Sequence, residues 1–121
     1  MGNKRTPNSE LLKGTLDMMI LRTLGAGEAH GHTIAKVIEQ TSEDLLQVEQ
    51  GSLYPALHRL ENRGWVCSYW GASENNRKAK FYRLTPAGRR QLHVKTRCWQ
   101  DMVRAIALVM AENKLAVGGG E

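Results

Sequence analysis

The segment Gly51-Ser52-Leu53-Tyr54-Pro55-Ala56-Leu57-His58-Arg59-Leu60-Glu61 holds the residue types and spacing best suited to meeting a large partner. Leu53, Leu57 and Leu60 recur at helical spacing and share one apolar side. Tyr54, His58 and Arg59 fall away from that side. Ser52 is placed to cap the helix start, which puts Pro55 in the first turn, where a missing N–H costs nothing. Gly64 supplies a left-handed residue at the other end. A helix of about three turns with a polar, hydroxyl-bearing N-terminus has the shape that enters a DNA major groove. Amides and polar side chains at such an end also bind phosphate. Gln50, Ser52, Tyr54, Pro55, His58 and Arg59 are therefore candidate DNA contacts. Each has a plainer reading as well: connector or cap for Gln50 and Ser52, core aromatic for Tyr54, first-turn proline for Pro55. Arg59 has the alternative of an ion pair with a neighbouring carboxylate such as Glu49.

A basic hairpin follows. Trp65–Trp70 and Lys80–Thr85 are rich in aromatic and β-branched residues, and residues 71–79 between them carry turn chemistry. The chain has 17 Lys and Arg against 12 Asp and Glu, a net charge of +5. Arg77, Lys78, Lys80, Arg83, Arg89 and Arg90 face only Glu74 across residues 72–90, so the entire excess lies on the hairpin and the start of the next helix. Such a patch is the footprint of phosphate contact. Asn76, Arg77, Lys78 and Lys80 join the candidate DNA contacts. The plainer reading is a solvated basic loop, and for Lys80 and Arg83 one strand face must pack inward.

Other chemistry is poorly served. No nucleophile, base and orienting group stand in a recognisable constellation, so no enzyme is expected. His30 and His32 form a His-x-His pair, too few ligands for a metal site, and neither metal nor cofactor is expected. Cys67 and Cys98 suggest neither a disulfide framework nor zinc. No apolar run of about 20 residues is present to span a membrane, and the polar, basic N-terminus lacks a signal-peptide core, so a cytoplasmic location is expected.

The positioning elements can be read from periodicity. Glu10–Leu24 carries Leu12, Leu16, Met19, Ile20 and Leu24 on a helical stripe, broken by Gly25-Ala26-Gly27. Thr33–Thr41 turns Ile34, Val37 and Ile38 to one face. Ser42–Gln50 is a connector, with a brief strand at Leu46-Gln47-Val48. Thr85 caps a last helix with Pro86 at its first position, running to about Leu115, or roughly 45 Å. Leu92, Trp99 and Ile106 step by sevens along it, with Met102, Val103, Val109 and Met110 beside them. That seam suits a second helix. Met1–Ser9 and Gly118–Glu121 are expected to be loose. The order predicts a mainly α fold with a small β-hairpin: a winged helix-turn-helix domain over residues 10–85 and a dimerisation helix over 86–116.

The chain resembles the PadR family of bacterial transcriptional regulators from about Leu11 to Ile106. The resemblance is carried by Leu11-Leu12-Lys13-Gly14-Thr15-Leu16-Asp17, by His30-Gly31-His32-Thr33-Ile34, and most sharply by Gly51-Ser52-Leu53-Tyr54-Pro55 with Arg59-Leu60-Glu61. Phe81-Tyr82-Arg83-Leu84-Thr85 with Gly88 completes it. His32 stands where the family often has Tyr, a departure close to the expected DNA backbone. The single C-terminal helix resembles the family's short branch, which dimerises through that helix. The resemblance implies a homodimeric repressor binding double-stranded DNA. Some family members stack flat aromatic ligands between the long helices, which makes Trp99 a candidate ligand platform as well as a dimer-core residue. Two-fold symmetry predicts a pseudo-palindromic operator. The rival is a winged-helix protein–protein interaction module without DNA binding, which has no need to concentrate +5 on its wing.

Overall fold

Helix α1 (Ser9–Ala26) turns Leu16, Ile20 and Leu24 to one side, and its neighbour Leu21 is buried with them. The computed structural model describes residues 9–112, with side chains from Thr15 onward. The side chain of Leu12, the loose ends expected at Met1–Asn8 and Gly118–Glu121, and Leu115 lie outside the described residues. Helix α2 (Gly31–Thr41) buries Ile34 and Ile38, while Val37 stays exposed beside them. Helix α3 (Gln50–Asn62) buries Leu53, Ala56, Leu57 and Leu60, the expected apolar side.

The three helices close over a sheet of order β1-β3-β2, with β1 at Ala29–His30, β2 at Val66–Ala72 and β3 at Lys78–Leu84. Both pairings are antiparallel. The expected brief strand at Leu46–Val48 is absent; the short strand is β1, paired through Ala29 to Tyr82 and His30 to Phe81. The connector satisfies its backbone differently. Leu46 N–H donates to Ser42 Oγ (3.1 Å) and Val48 N–H to Glu39 Oε2 (2.8 Å), which holds Val48 in the core. Two residues in β1 are too few to show a period of two.

Helix α4 (Pro86–Met110) starts as its sequence predicts. Thr85 Oγ1 accepts from Gly88 N–H at 3.0 Å and donates to the Gly64 carbonyl at 2.7 Å. This one side chain caps α4 and ties it to the end of α3. Gly88 sits so close to the Trp65 carbonyl that a Cβ there would come within 1.9 Å of the oxygen. The helix ends at Met110, where Ala111 turns extended (ψ 152°), short of the expected Leu115. Its 25 residues span about 37 Å. Leu92, expected on the open seam, is instead buried in the core, where its Cδ2 lies over Gly25. A lone helix must be docked by something, and Leu92 does it.

Candidate nucleic-acid interface

Helix α3 begins earlier than its hydroxyl suggests. The N–H groups of Ser52 and Leu53 both donate to the Glu49 carbonyl (3.0 and 2.9 Å), so Glu49 is the N-cap, without a side-chain hydrogen bond. Ser52 is thus inside the helix and does not cap it. Pro55 is likewise inside the helix, beyond the turn expected for it. It offers no N–H to the Gly51 carbonyl, at exposed positions where solvent can replace it. The other end follows expectation: Gly64 takes φ +77°, its N–H donates to the Glu61 carbonyl, and Trp65 N–H donates to the Leu60 carbonyl. This is the paired closure in which a left-handed glycine ends a helix.

The outward residues of α3 are Gln50, Gly51, Tyr54, Pro55, His58, Arg59 and Asn62, with Ser52 half-buried. Arg59 is engaged, though not with Glu49. Its Nη2 donates to Asp17 Oδ1 of α1 at 2.7 Å, and Arg63 stands 3.9 Å from the same carboxylate. Tyr54 is packed on one side and open on the other. Its ring fills the space where a Cβ on Gly31 would fall, yet 43% of the residue is exposed. Gly31 at the head of α2 makes room for the tyrosine of α3.

The register of the hairpin decides which wing residues look where. Val66 pairs with Leu84, Ser68 with Tyr82, Trp70 with Lys80 and Ala72 with Lys78. Alternation puts these on one face. At the base that face is core, with Val66, Tyr82 and Leu84 buried; towards the tip it runs past the core and presents Trp70, Lys80 and Lys78 to the space beside α2 and α3. The opposite face carries Tyr69 stacked on Phe81, and Arg83, whose guanidinium donates to Cys67 Sγ (3.3 Å) and pairs with Glu28 at 3.8 Å. That sulfur contact raises the Arg83 pKa further, and the Tyr69 hydroxyl, donating to Glu28, is raised too. Burial pushes the Tyr82 phenol up, with Glu61 and Tyr54 adding to the shift.

The tip is tighter than the expected nine-residue loop. Asn76 N–H donates to the Ser73 carbonyl (2.8 Å), Ser73 N–H to the Arg77 carbonyl (2.8 Å), and Asn76 adopts φ +61°. A left-handed third residue is the usual closure of a short hairpin loop, and asparagine tolerates it better than most residues. Arg77 projects from this turn. Lys78 lies over Trp70, its Nζ 5.3 Å from the ring centroid, and Lys80 is 3.9 Å from Glu61. Between wing, α2 and α3 lies a groove of about 930 Å³ that brings Tyr54, Arg77, Lys78 and Lys80 together with His30, His32, Lys36 and Trp70. Ser52, Pro55 and Arg59 line a separate recess against α1. Trp70 and Lys36 were not marked as contacts by composition; only the strand pairing and the helix placement bring them to the groove.

On α4 beyond Leu92, Trp99, Met102, Val103, Ile106, Val109 and Met110 are all exposed. Among the described residues, no helix is long and apolar enough to cross a membrane.

Three helices with an exposed third, followed by a projecting basic hairpin, define the winged helix-turn-helix class of protein. Residues 20–94 match the Transcriptional regulator PadR-like family. The chain is 32% identical over 97 residues to a transcriptional regulator of Mycobacterium tuberculosis, covering 80% of this chain and 87% of that protein. A transcriptional regulator from Clostridium thermocellum has the same fold with a TM-score of 0.74 at 28% identity, covering 85% of this chain and 99% of that one. A PadR family transcription regulator from Clostridium difficile matches with a TM-score of 0.71 at 27% identity, over 81% and 100% of the two chains. The chain belongs to the PadR-like family of transcriptional regulators, which implies regulation through DNA binding.

Proposed function

We propose that this protein is a homodimeric repressor that places α3 of each protomer in the major groove of a pseudo-palindromic operator and sets the wing on the adjacent backbone. One observation carries the reading: Arg77 and Lys78 stand at the wing tip without a carboxylate in ion-pair range among the described residues, beside a helix whose N-terminal turn is open. Unpaired cations are free to displace counterions from a phosphate chain. Gln50, Ser52, Tyr54, Pro55 and His58 are the contacts assigned to α3, with Asn76, Arg77 and Lys78 assigned to the wing. Arg59 and Lys80 share their charge with Asp17 and Glu61 and act mainly to hold α3 against α1 and β3.

In this reading residues 10–85 bind DNA and residues 86–116 dimerise. The dimer seam is Trp99, Met102, Val103, Ile106, Val109 and Met110, without Leu92. A flat aromatic effector stacked on Trp99 would act by favouring a dimer with wrongly spaced recognition helices, since equal affinity for both spacings shifts nothing. The test is footprinting of the full-length protein on the promoter beside its own gene. Protection of two symmetric half-sites one helical turn apart is the expected result. A protein that binds no duplex would leave the interaction-module reading in its place.

A further inference from the structure

We propose that the groove between the wing and the head of α2 seats the DNA backbone, with His30 and His32 meeting phosphate, so that DNA binding takes up protons. The proposal rests on the DNA-binding reading above and adds a surface that reading does not use.

His30 ends β1 and His32 lies in the first turn of α2. Their rings stack with centroids 6.4 Å apart and planes 14° from parallel. His30 is fixed on two further sides: the edge of Phe81 meets it at 5.3 Å, and Thr33 Oγ1 lies 3.2 Å from its Nε2. His32 is exposed, backed by the fixed ring. Lys36 shares the α2 bank with the pair, and Tyr54 reaches in from α3. Arg77, Lys78, Lys80 and Tyr82 face it from the wing and β3, and among the described residues Glu74 is the only carboxylate lining the groove. Glu28 approaches His30 from the far side, where Arg83 and the Tyr69 hydroxyl already engage it.

Cations thus stand on both banks, from Lys36 on the helix to Arg77 at the tip. Cations on two facing elements suit a chain of phosphates, which carries a charge at every step. Imidazole changes charge between about pH 5 and 8, and a phosphate alongside favours the charged form. Two imidazolium rings at this spacing repel each other, and a phosphate beside them offsets that repulsion. Binding that prefers the protonated state draws in protons, so affinity is highest at low pH and falls as pH rises.

The test is fluorescence anisotropy of the full-length protein with a labelled mixed-sequence duplex at constant ionic strength. The parent is expected to tighten roughly tenfold or more between about pH 8 and pH 6. The double variant His30→Gln, His32→Gln should lose the dependence on pH. Adding His32→Lys to His30→Gln should give tight binding that no longer varies with pH, which a merely structural role would not produce. His93→Gln, exposed on α4 and outside the interface, should keep the parent's slope. Should the double variant fail to melt cooperatively, His32→Gln alone carries the test, since that ring is exposed. A parent that binds DNA with flat affinity overturns the proposal and leaves the DNA-binding reading standing. So does a slope that survives the double variant or vanishes with His93→Gln. No binding at any pH removes both.

Discussion

Arg77 and Lys78, unlike Arg59, Lys80 and Arg83, have no carboxylate partner among the described residues, and this decides what their loss should do. Replacing both with alanine should weaken binding to all duplexes about equally, because phosphate carries no base information. The slope of log affinity against log salt should shrink by about 0.9 for each phosphate contact removed. A titration in which affinity falls at an unchanged slope would show that the wing tip does not contact phosphate. Glycines give a contrast at the same scale. Gly88→Ala would drive a Cβ onto the Trp65 carbonyl oxygen, a backbone atom that cannot step aside. Overpacking of this kind costs about 1–3 kcal/mol and sometimes more. Gly51→Ala meets nothing within 4 Å, and helical alanine is favoured over glycine by up to about 1 kcal/mol. Urea melts of the two variants should therefore move in opposite directions.

Among the elements, α4 divides at its second turn. Gly88 and Leu92 belong to the core, and Lys95 lies over Trp65, its Nζ 5.4 Å from the ring centroid. From Arg97 to Met110 every residue of the helix is exposed. A chain ending after Gln91 removes Leu92 and should unfold, since losing a buried leucine costs about 2–5 kcal/mol. A chain ending after Thr96 keeps the docking contacts and should be a folded monomer. Sedimentation and circular dichroism distinguish the two. A dimer that survives the longer truncation would move the interface away from α4.

At the scale of the whole molecule, the exposed run from Trp99 to Met110 is the surface on which the proposed dimer rests. Ile106 is 49% exposed and Val109 78%, and burying such side chains is worth about 1.5–3 kcal/mol each. If a second protomer covers them, folding is coupled to association, and the melting temperature should rise with protein concentration. A melting temperature independent of concentration over the micromolar range would contradict the dimer. The two-fold axis of such a dimer would also set the spacing of the two α3 helices, and through it the spacing of the operator half-sites.

Much of this protein was legible in one dimension. Leu53, Leu57 and Leu60 mark the buried side of α3 by period alone, Thr85-Pro86 opens α4 as its chemistry requires, and Gly64 ends α3 with a positive φ. The concentration of charge on residues 72–90 pointed to a polyanionic partner. These features are local: helical period, capping and composition act over a few neighbouring residues, so the sequence determines them by itself. Tertiary structure decided the rest. It placed Asp17 under Arg59, 42 positions away, and gave the two-residue strand β1 its partner in β3. It drew Leu92 out of the heptad seam into the core, where the space beside Gly25 was open to it. And it joined His30, His32, Lys36, Trp70 and Lys78 around one groove. Those contacts depend on which faces meet, and hydrophobic burial, which is not directional, leaves that choice to the packing of the whole chain.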